Sequence, residues 1–332
     1  MPAVSVIATV LNESENIARL IESLTQQALL PAEIIVVDGG SSDGTWEQLQ
    51  RSAAEHPMLR PIRDESCNLK HTAGPISKGR NVAIAAAKSE LIACADAGCG
   101  YAPDWLGNLI EPLTKLTTNG AAEYALGGAC LDLTDATIWD WASAPFLGVK
   151  LDEAAPTKSC TARSMAFTKD LWRRLGGFPE TVFFGEDTLF DLRAREATRP
   201  AFPPQAKAHY RPRNSFLSAG RQLARYAVSD GVLGERRSRL ARNVTRCVIE
   251  IAALAALPWT WIPAAAVGAM MLHFAFQSDG RFLLRMRPGA APARLAFSIF
   301  VPWIIAINQV RGKMTKRCLV NPQNEGPQND GA

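Results

Sequence analysis

The chain of 332 residues is predicted to have an α/β fold with a mostly parallel, doubly wound sheet flanked by helices. Two apolar, β-branched runs, residues 4–10 and 33–38, have the composition of strands that are buried on both faces. Between these runs, apolar residues recur at helical spacing, at Ile17, Leu20, Ile21 and Leu24. Strand and helix patterns alternate up to Asp96, so we expect the first strands to be parallel and joined by crossover helices.

Turn residues and apolar spacing predict the positions of the further elements. Residues 39–44 are Gly, Ser and Asp, which are typical of turns, and a helix is predicted from Thr45 to about Ala54. The next predicted elements are a strand at 59–62, a helix at 77–87, a strand at 90–95, a helix at 105–116 and a strand at 124–130. After a less regular region, 132–160, the predicted elements are a strand at 164–168, a helix at 169–175 and a helix that opens at 183–187.

Polar residues stand at the ends of three of the predicted strands. Asn12 follows the first strand, Asp38 ends the second, and Asp96 follows the strand at 90–95. In open parallel sheets, ligands bind beyond the carboxyl ends of the strands. We therefore expect these three side chains to line one cleft.

Composition argues against several other classes of protein. A hydrophobic fraction of 47% and a charged fraction of 20% are typical of a globular protein and not of a disordered one. A net charge of +4 gives no reason to expect a nucleic-acid partner. The seven cysteines include no C-x-x-C pair, so we expect neither a zinc site nor a disulfide framework. The N-terminal residues enter a strand pattern directly, without the features of a signal peptide.

An ordered series of short motifs resembles glycosyltransferase family 2 on a GT-A fold. The series comprises Ser5-Val-Ile-Ala-Thr9, Asn12-Glu13, Ile35-Val-Val-Asp38-Gly-Gly-Ser-Ser-Asp43-Gly-Thr45, Lys78-Gly-Arg80-Asn81, Ala95-Asp96-Ala97-Gly98, Gly176-Gly177-Phe178 and Gly185-Glu186-Asp187. It covers about residues 3–215, and the order is more specific than any single motif. The resemblance implies an inverting transferase that moves a sugar from a nucleoside diphosphate donor, a UDP-sugar, to a hydroxyl group of a glycan or a lipid-linked acceptor.

The resemblance implies that six residues lie near the nucleotide of the donor, one of them Asp96, whose counterpart in the family contacts the ribose or the metal. Asp38 would accept a hydrogen bond from the base, a uracil ring N–H, and Thr9, Asn12 and Glu13 would line the same edge. Arg80 would stand near the diphosphate, at a helix start where backbone N–H groups also favour an anion. The residues alone leave other roles open: a turn cap for Asp38, a helix N-cap for Asn12 and a surface ion pair for Arg80.

The resemblance also implies a divalent cation, Mg²⁺ or Mn²⁺, that bridges the two phosphates. The metal motif of the family is Asp-x-Asp at a strand end, and this chain keeps Asp96 but has Gly98 in place of the second acid. His209 lies where related enzymes have a residue that touches the metal or the diphosphate, although a lone histidine is more often structural. We therefore predict Asp96 and His209 as metal ligands, and unchanged activity in excess chelator would contradict metal dependence.

Inverting transfer requires a base that takes the proton of the acceptor hydroxyl as the oxygen attacks the anomeric carbon. In the resembling family this base is the second acid of a Glu-Asp pair, which predicts Asp187 as the base and Glu186 as a residue that orients the acceptor or the base. An N-cap acid pair is the structural alternative. Trp139, Trp141 and Phe146 lie where an acceptor-binding loop is expected, with core contact as the alternative.

The character of the sequence changes after the predicted transferase domain, residues 1–215. A basic amphipathic linker, 216–246, precedes an apolar helical region, 247–315, and a polar tail, 316–332, that is expected to be disordered. Basic residues flank both apolar runs of this region, 247–276 and 295–307, so helices that lie on the cytoplasmic face of a membrane or re-enter it fit the charges. Two membrane crossings or a soluble helical extension stay open.

Two other functions also stay open from the sequence. A catalytically silent carbohydrate-binding or scaffold protein is supported by the missing second acid of the metal motif, whereas Asp38, Asp96 and the Glu186-Asp187 pair argue against it. A nucleotidyltransferase would need a Gly-rich basic loop after the first strand, and residues 9–13 lack one. The sequence carries no signal for the oligomeric state.

Overall fold

The structure is a computed structural model that describes residues 2–115, 121–132, 136–147, 162–210, 215–234, 237–256, 265, 267–269 and 289–319. The chain divides into two compact units, Met1–Asp140 with Leu147–Pro212, and Trp141–Phe146 with Arg213–Ala332. The segment limits predicted from the sequence stay predictions. Of the predicted disordered tail, residues 316–319 end the last helix, and the rest lies outside the described residues.

The first unit is built on a twisted sheet that is mostly parallel. The strands are β1 (Val4–Val10), β2 (Glu33–Asp38), β3 (Leu59–Arg63), β4 (Leu91–Cys94), β5 (Cys99–Tyr101), β6 (Tyr124–Leu126), β7 (Gly128–Leu131), β8 (Met165–Thr168) and β9 (Lys207–Tyr210). The main sheet has the order β3-β2-β1-β4-β8-β6. Its first four strands are parallel, and β8 runs antiparallel between β4 and β6. The predicted α/β fold is therefore confirmed.

Helices alternate with the strands as the sequence predicts. They are α1 (Ile17–Thr25), α2 (Thr45–Glu55), α3 (Pro75–Ala86), α4 (Trp105–Thr114), α5 (Ile138–Ser143), α6 (Lys169–Arg174), α7 (Glu186–Ala197), α8 (Phe216–Leu233), α9 (Arg237–Ala256) and α10 (Ala290–Leu319). The apolar face predicted for the first helix is the one that α1 buries, at Ile17, Leu20, Ile21 and Leu24.

One predicted strand, 124–130, is in fact two strands in different sheets. β6 pairs with β8 in the main sheet, whereas β7 pairs with β9 in a second sheet of order β5-β9-β7. The chain leaves the main sheet at Gly127, whose N–H donates to Ser164 O at 2.8 Å. A Cβ on Gly127 would collide with Ser164 Oγ, so this close approach requires glycine.

Aromatic packing behind β8 positions the helix α7. Phe167, Phe178 and Phe190 are buried, and the rings of Phe178 and Phe190 stack with centroids 4.3 Å apart. The ring of Phe167 lies 5.0 Å from that of Phe190. Each such pair contributes about 0.5–1.5 kcal/mol beyond the burial of its area. Because Glu186 and Asp187 open α7, this packing holds both acids at a defined place beside the sheet.

In the second unit, α8 and α10 cross closely at two glycines. A methyl group on Gly231 would collide with Gln309 O, and one on Gly312 would collide with Val228 O. On the neighbouring helix α9, the buried Glu250 accepts a hydrogen bond from Trp303 Nε1 of α10 at 2.6 Å. The three helices are thus held together by a backbone crossing and by a buried polar contact.

The helix α10 is long and apolar enough to cross a membrane. Its segment Ala290–Met314 has 25 residues and a mean hydropathy of 1.7, but half of the most apolar window is buried inside the protein. A core helix of a soluble protein has the same properties, so this helix is weak evidence for a membrane. The predicted run 295–307 lies within α10, and Pro302 does not end the helix. Of the run 247–276, most residues after 256 lie outside the described residues.

Candidate functional site

The loops after β1 and β2 are joined by hydrogen bonds. Asn12 has a left-handed backbone, with φ 55°, which asparagine tolerates better than most residues. Its N–H donates to Ser41 Oγ at 2.8 Å, and its Oδ1 accepts from Ser42 N–H at 2.9 Å. Asn12 therefore does not cap α1, whose N-cap is Asn16. It ties the end of β1 to the turn after β2.

Asp38 is fully buried at the end of β2. Its Oδ1 accepts from the N–H groups of Gly40 at 2.6 Å and Ser41 at 2.7 Å. Its Oδ2 is also buried and has no hydrogen-bond partner among the described residues. A buried acceptor without a partner costs about 1–3 kcal/mol. One oxygen of Asp38 thus holds the turn, and the other is a buried acceptor that no described residue uses.

Asp43 and Glu13 hold the loops themselves. Asp43 Oδ1 accepts from Thr45 N–H at 3.1 Å, and its Oδ2 accepts from Ser14 N–H at 3.0 Å. Desolvation raises the pKa of Asp43, but the hydrogen bonds from Thr45 and Ser14 outweigh it and lower the pKa overall. Glu13 N–H donates to Thr45 Oγ1 at 2.9 Å, which adds a further link between the loops.

A close approach of α3 to β1 leads Arg80 into the interior. A Cβ on Gly79 would lie 2.5 Å from Thr9 Oγ1, so the helix could not pack here with a larger residue. Arg80 is 6% exposed, and its Nη1 donates to Glu186 Oε1 at 2.6 Å. The ion pair left open by the sequence is therefore present, but it is buried and its partner is a predicted catalytic acid.

The two acids Glu186 and Asp187 occupy the first turn of α7, after the N-cap Gly185, so neither is the N-cap residue itself. Burial raises the pKa of Glu186, and the neighbouring charge of Asp187 raises it further, against the opposite effect of Arg80. Asp187 Oδ1 accepts from Thr188 N–H at 2.7 Å, and its Oδ2 accepts from the N–H of residue 162 at 3.3 Å. Its carboxylate is thus oriented from two sides.

Asn81 clamps the loop that leads to these acids, a role that the sequence analysis missed. Its Oδ1 accepts from Trp172 Nε1 at 3.1 Å and from Phe178 N–H at 2.9 Å. Its Nδ2 donates to Phe178 O and to Glu180 Oε1, both at 2.9 Å. The side chain therefore uses both donors and both lone pairs of its oxygen. Its place directly after Arg80 in the Lys-Gly-Arg-Asn motif was the available signal.

Asp96 follows β4 and is half-buried. Its N–H donates to the hydroxyl oxygen of Tyr101 at 2.8 Å, and that hydroxyl donates to Arg163 O at 2.9 Å. Arg163 directly follows Ala162, whose N–H binds the Asp187 carboxylate. Residues 162 and 163 therefore connect the surroundings of Asp96 with those of Asp187.

The structure does not bring His209 beside Asp96 as the metal prediction requires. Adjacent residues of a strand point to opposite faces of the sheet. Of the neighbours His209 and Tyr210, Tyr210 is the one near Asp96, because Tyr210 Cε2 and Asp96 Oδ1 each lie 3.5 Å from the Cβ position of Gly98. His209 Nδ1 instead lies 3.6 Å from Cys130 Sγ, and the residue lines a separate cavity of about 480 Å³. Among the described residues, no cluster of three or more His, Cys, Asp or Glu side chains could hold a metal. A cation held jointly by Asp96 and His209 does not fit this arrangement.

Of the three aromatic residues expected at an acceptor loop, Trp141 and Phe146 belong to the second unit and Trp139 to the first. Trp141 is buried, and the ring of Phe146 stacks on that of Phe297 in α10, with centroids 5.9 Å apart. These contacts agree with the core role that the sequence left open.

Residues 5–122 match the family model described as glycosyl transferase family 2. Among curated proteins, the chain is 25% identical over 205 residues to the glycosyltransferase AglE of Haloferax volcanii. The aligned residues cover 59% of this chain and 62% of that protein. It is 30% identical over 135 residues to the putative glycosyltransferase EpsH of Bacillus subtilis, over 40% of this chain and 37% of that protein. The chain therefore matches less than two thirds of the length of either relative.

Among solved structures, the chain is similar to the mannosyltransferase PcManGT from Pyrobaculum calidifontis, in complex with GDP-Man and Mn²⁺. The TM-score is 0.62 at 20% sequence identity, over 92% of this chain and 87% of that one. At this identity the likeness concerns the fold. Together with the family match and the mostly parallel sheet, it leads to one conclusion: the chain has a GT-A fold, and its residues 5–122 are similar to glycosyltransferase family 2.

Proposed function

We propose that the chain is an inverting glycosyltransferase that moves a sugar from a nucleoside diphosphate donor, a UDP-sugar, to a hydroxyl group of a glycan or a lipid-linked acceptor. The observation that carries the proposal is the hydrogen bonding along the carboxyl edge of the sheet in a family 2 domain. One set joins Asp38 to the Asn12 loop, and another joins Asp96 to Asp187 through residues 162–163. This edge offers carboxylates for base recognition and for proton transfer.

The base of the donor is assigned to Asp38. The buried Oδ2 of this residue has no partner among the described residues, and the ring N–H of uracil is a donor that would satisfy it. Thr9, Asn12 and Glu13 belong to the same edge and are proposed to line the nucleoside. Arg80 is retained as a residue near the diphosphate, and it stays in its ion pair with Glu186.

Proton transfer is assigned to Asp187. The acceptor oxygen forms a bond to the anomeric carbon, the bond from that carbon to the diphosphate oxygen breaks, and the hydroxyl proton passes to the Asp187 carboxylate. Attack from the face opposite the leaving diphosphate inverts the configuration. Glu186 is better suited to positioning, because it is buried and bound by Arg80.

The predicted Mg²⁺ or Mn²⁺ takes no part in these steps. Asp96 is retained as a residue of the donor edge, but Gly98 replaces the second acid and His209 faces away. When bound in a transferase, such a cation neutralises charge on the leaving diphosphate.

A thermal-shift screen of nucleoside diphosphates and nucleotide sugars, with and without Mn²⁺, tests the donor class. We expect one class of nucleotide to raise the melting temperature of the protein. We also expect the corresponding nucleotide sugar to be hydrolysed slowly when no acceptor is present. Stabilisation by free sugars without any hydrolysis would favour the silent carbohydrate-binding protein. Release of pyrophosphate from a nucleoside triphosphate and a sugar phosphate would favour the nucleotidyltransferase.

The second unit is proposed to attach the enzyme to the cytoplasmic face of a membrane, which suits a lipid-linked acceptor. The helix α9 exposes Val248, Ile249 and Ile251, and α10 exposes Phe300. Arg242, near the start of α9, is exposed as well, so apolar and cationic groups are both available to an anionic lipid surface. Co-sedimentation with vesicles that contain anionic lipid tests this, and a chain that stays in the supernatant would contradict it.

A further inference from the structure

The position where the family has a second acid lies beside an aromatic ring, and the guanidinium group of an arginine lies over that ring. In the family pattern, the acid two residues after Asp96 binds the metal, and here this position is Gly98. The Cβ position of Gly98 lies 3.5 Å from Tyr210 Cε2. Tyr210 is buried, and the Cζ atom of Arg163 lies 4.0 Å from the centroid of its ring. A cationic side chain thus lies close to the point where the family has a second carboxylate.

Arg163 is held there by its backbone. Its carbonyl oxygen accepts from the Tyr101 hydroxyl, which in turn accepts from Asp96 N–H. One residue before Arg163, the N–H of Ala162 binds the proposed base, Asp187. The position of Arg163 is therefore set from both the donor edge and the catalytic acid.

The charges of Arg163 and Asp96 act on one neighbouring group. Burial raises the pKa of the Cys99 thiol, the charge of Asp96 raises it further, and the charge of Arg163 lowers it. Cys99, at the start of β5, is also the register partner of Tyr210 in the β5–β9 pair, and the Arg163 guanidinium lies over the Tyr210 ring. The guanidinium therefore belongs to the same corner of the sheet as the retained acid.

We propose that Arg163 binds the diphosphate of the donor and supplies the positive charge that the family pattern obtains from a metal at the second acid. A guanidinium stays charged and presents five N–H donors in a planar fork, which matches two phosphate oxygens at once. The Tyr210 ring supports the guanidinium through a cation–π contact. Glycine at position 98 suits this arrangement, because a carboxylate without its metal would repel the phosphates. This inference rests on the proposed function.

Calorimetric titration of the full chain with UDP and GDP, in EDTA and in Mn²⁺, provides the test. We expect the preferred diphosphate to bind equally well in both buffers. Arg163→Ala should weaken binding of that diphosphate by about 10- to 100-fold, the range for a lost charge-assisted hydrogen bond, and leave the affinity for the matching nucleoside unchanged. Arg163→Lys should recover part of the loss, because it keeps the charge but not the fork.

Two further variants separate the outcomes. Arg173→Ala removes an exposed arginine of α6, which pairs with Glu90 on the surface. This variant should change neither the affinity for the diphosphate nor the affinity for the nucleoside. Gly98→Asp has room, since a Cβ there meets only ordinary contacts, and should make diphosphate binding respond to Mn²⁺. The inference is overturned if the wild-type chain loses diphosphate binding in EDTA, or if Arg163→Ala binds the diphosphate as tightly as wild type. Either result leaves the proposed function intact. If no nucleoside diphosphate binds in either buffer, both are overturned.

Discussion

Replacing Asn81 by alanine tests how the chain holds the loop before its two acids. The variant loses four hydrogen bonds, of 2.9 to 3.1 Å, to Trp172, Phe178 and Glu180. At a net value of about 0.5–1.5 kcal/mol each, these bonds contribute about 2–6 kcal/mol. The bond to Glu180 is exposed, so water replaces it in the variant. We therefore expect the free energy of unfolding to fall by about 2–4 kcal/mol.

Urea unfolding followed by far-UV circular dichroism measures this loss. Asn108→Ala is the matched control, because Asn108 lies on α4 and donates to Asp104 at an exposed site, where about 0.5 kcal/mol or less is expected. Asn81→Asp keeps both accepting interactions but turns a carboxylate oxygen toward Phe178 O and Glu180 Oε1, so its loss should be at least as large as that of Asn81→Ala. If Asn81→Ala is no less stable than Asn108→Ala, the four hydrogen bonds of Asn81 contribute nothing to the free energy of unfolding.

Three further changes test other parts of the molecule. Asp187→Asn removes the proposed base, so we expect turnover to fall by about 10²–10⁴-fold with donor affinity unchanged, and near-normal turnover would contradict the assignment. Gly312→Ala presses a methyl group against Val228 O, and thermal unfolding should show a loss of about 1–3 kcal/mol. Gly220→Ala on α8, where a Cβ meets Ile304 Cδ1 at an ordinary 3.6 Å, should show no such loss, and equal losses would refute the steric account. The pKa of Glu186 is higher in the folded state than the ordinary value of 4.5, so folding favours the protonated form. The contribution of Glu186 to stability is therefore complete below pH 4.5 and is lost as the pH rises through the folded pKa. Glu186→Gln should flatten that part of the stability profile, measured by urea unfolding against pH, and an unchanged profile would contradict it.

Several features of the donor edge follow from local sequence. β-Branched runs such as residues 33–38 form strands because they bury both faces, and a carboxylate directly after such a run is at the sheet edge in any parallel topology. The hydrogen bonds of Asp43 are another feature of this local kind, since its partners Thr45 and Ser14 lie in the adjoining loops. Turn chemistry and strand ends are local properties, and a single sequence carries them.

Other features depend on pairs of residues that are far apart in the chain. Arg80 and Glu186 are separated by 106 positions, and nothing in either segment indicates that the two side chains form a buried ion pair. The split of the predicted strand 124–130 depends on Ser164, which approaches Gly127 only after β8 has joined the sheet. The motif at 78–81 shows that a polar side chain matters there, but not that Asn81 binds Phe178.

The amino-acid sequence by itself determined the alternation of strands and helices, the resemblance to glycosyltransferase family 2, and the presence of Asp38, Asp96 and Asp187 at strand or helix ends. These properties arise from hydrophobic periodicity and turn residues within short segments. Only the tertiary structure decided which side chains face one another: that Tyr210 with Arg163, and not His209, lies toward Asp96. Adjacent residues of β9 point to opposite faces, so this choice depends on the register of β9 against β5 and β7, which forms only when the strands pair.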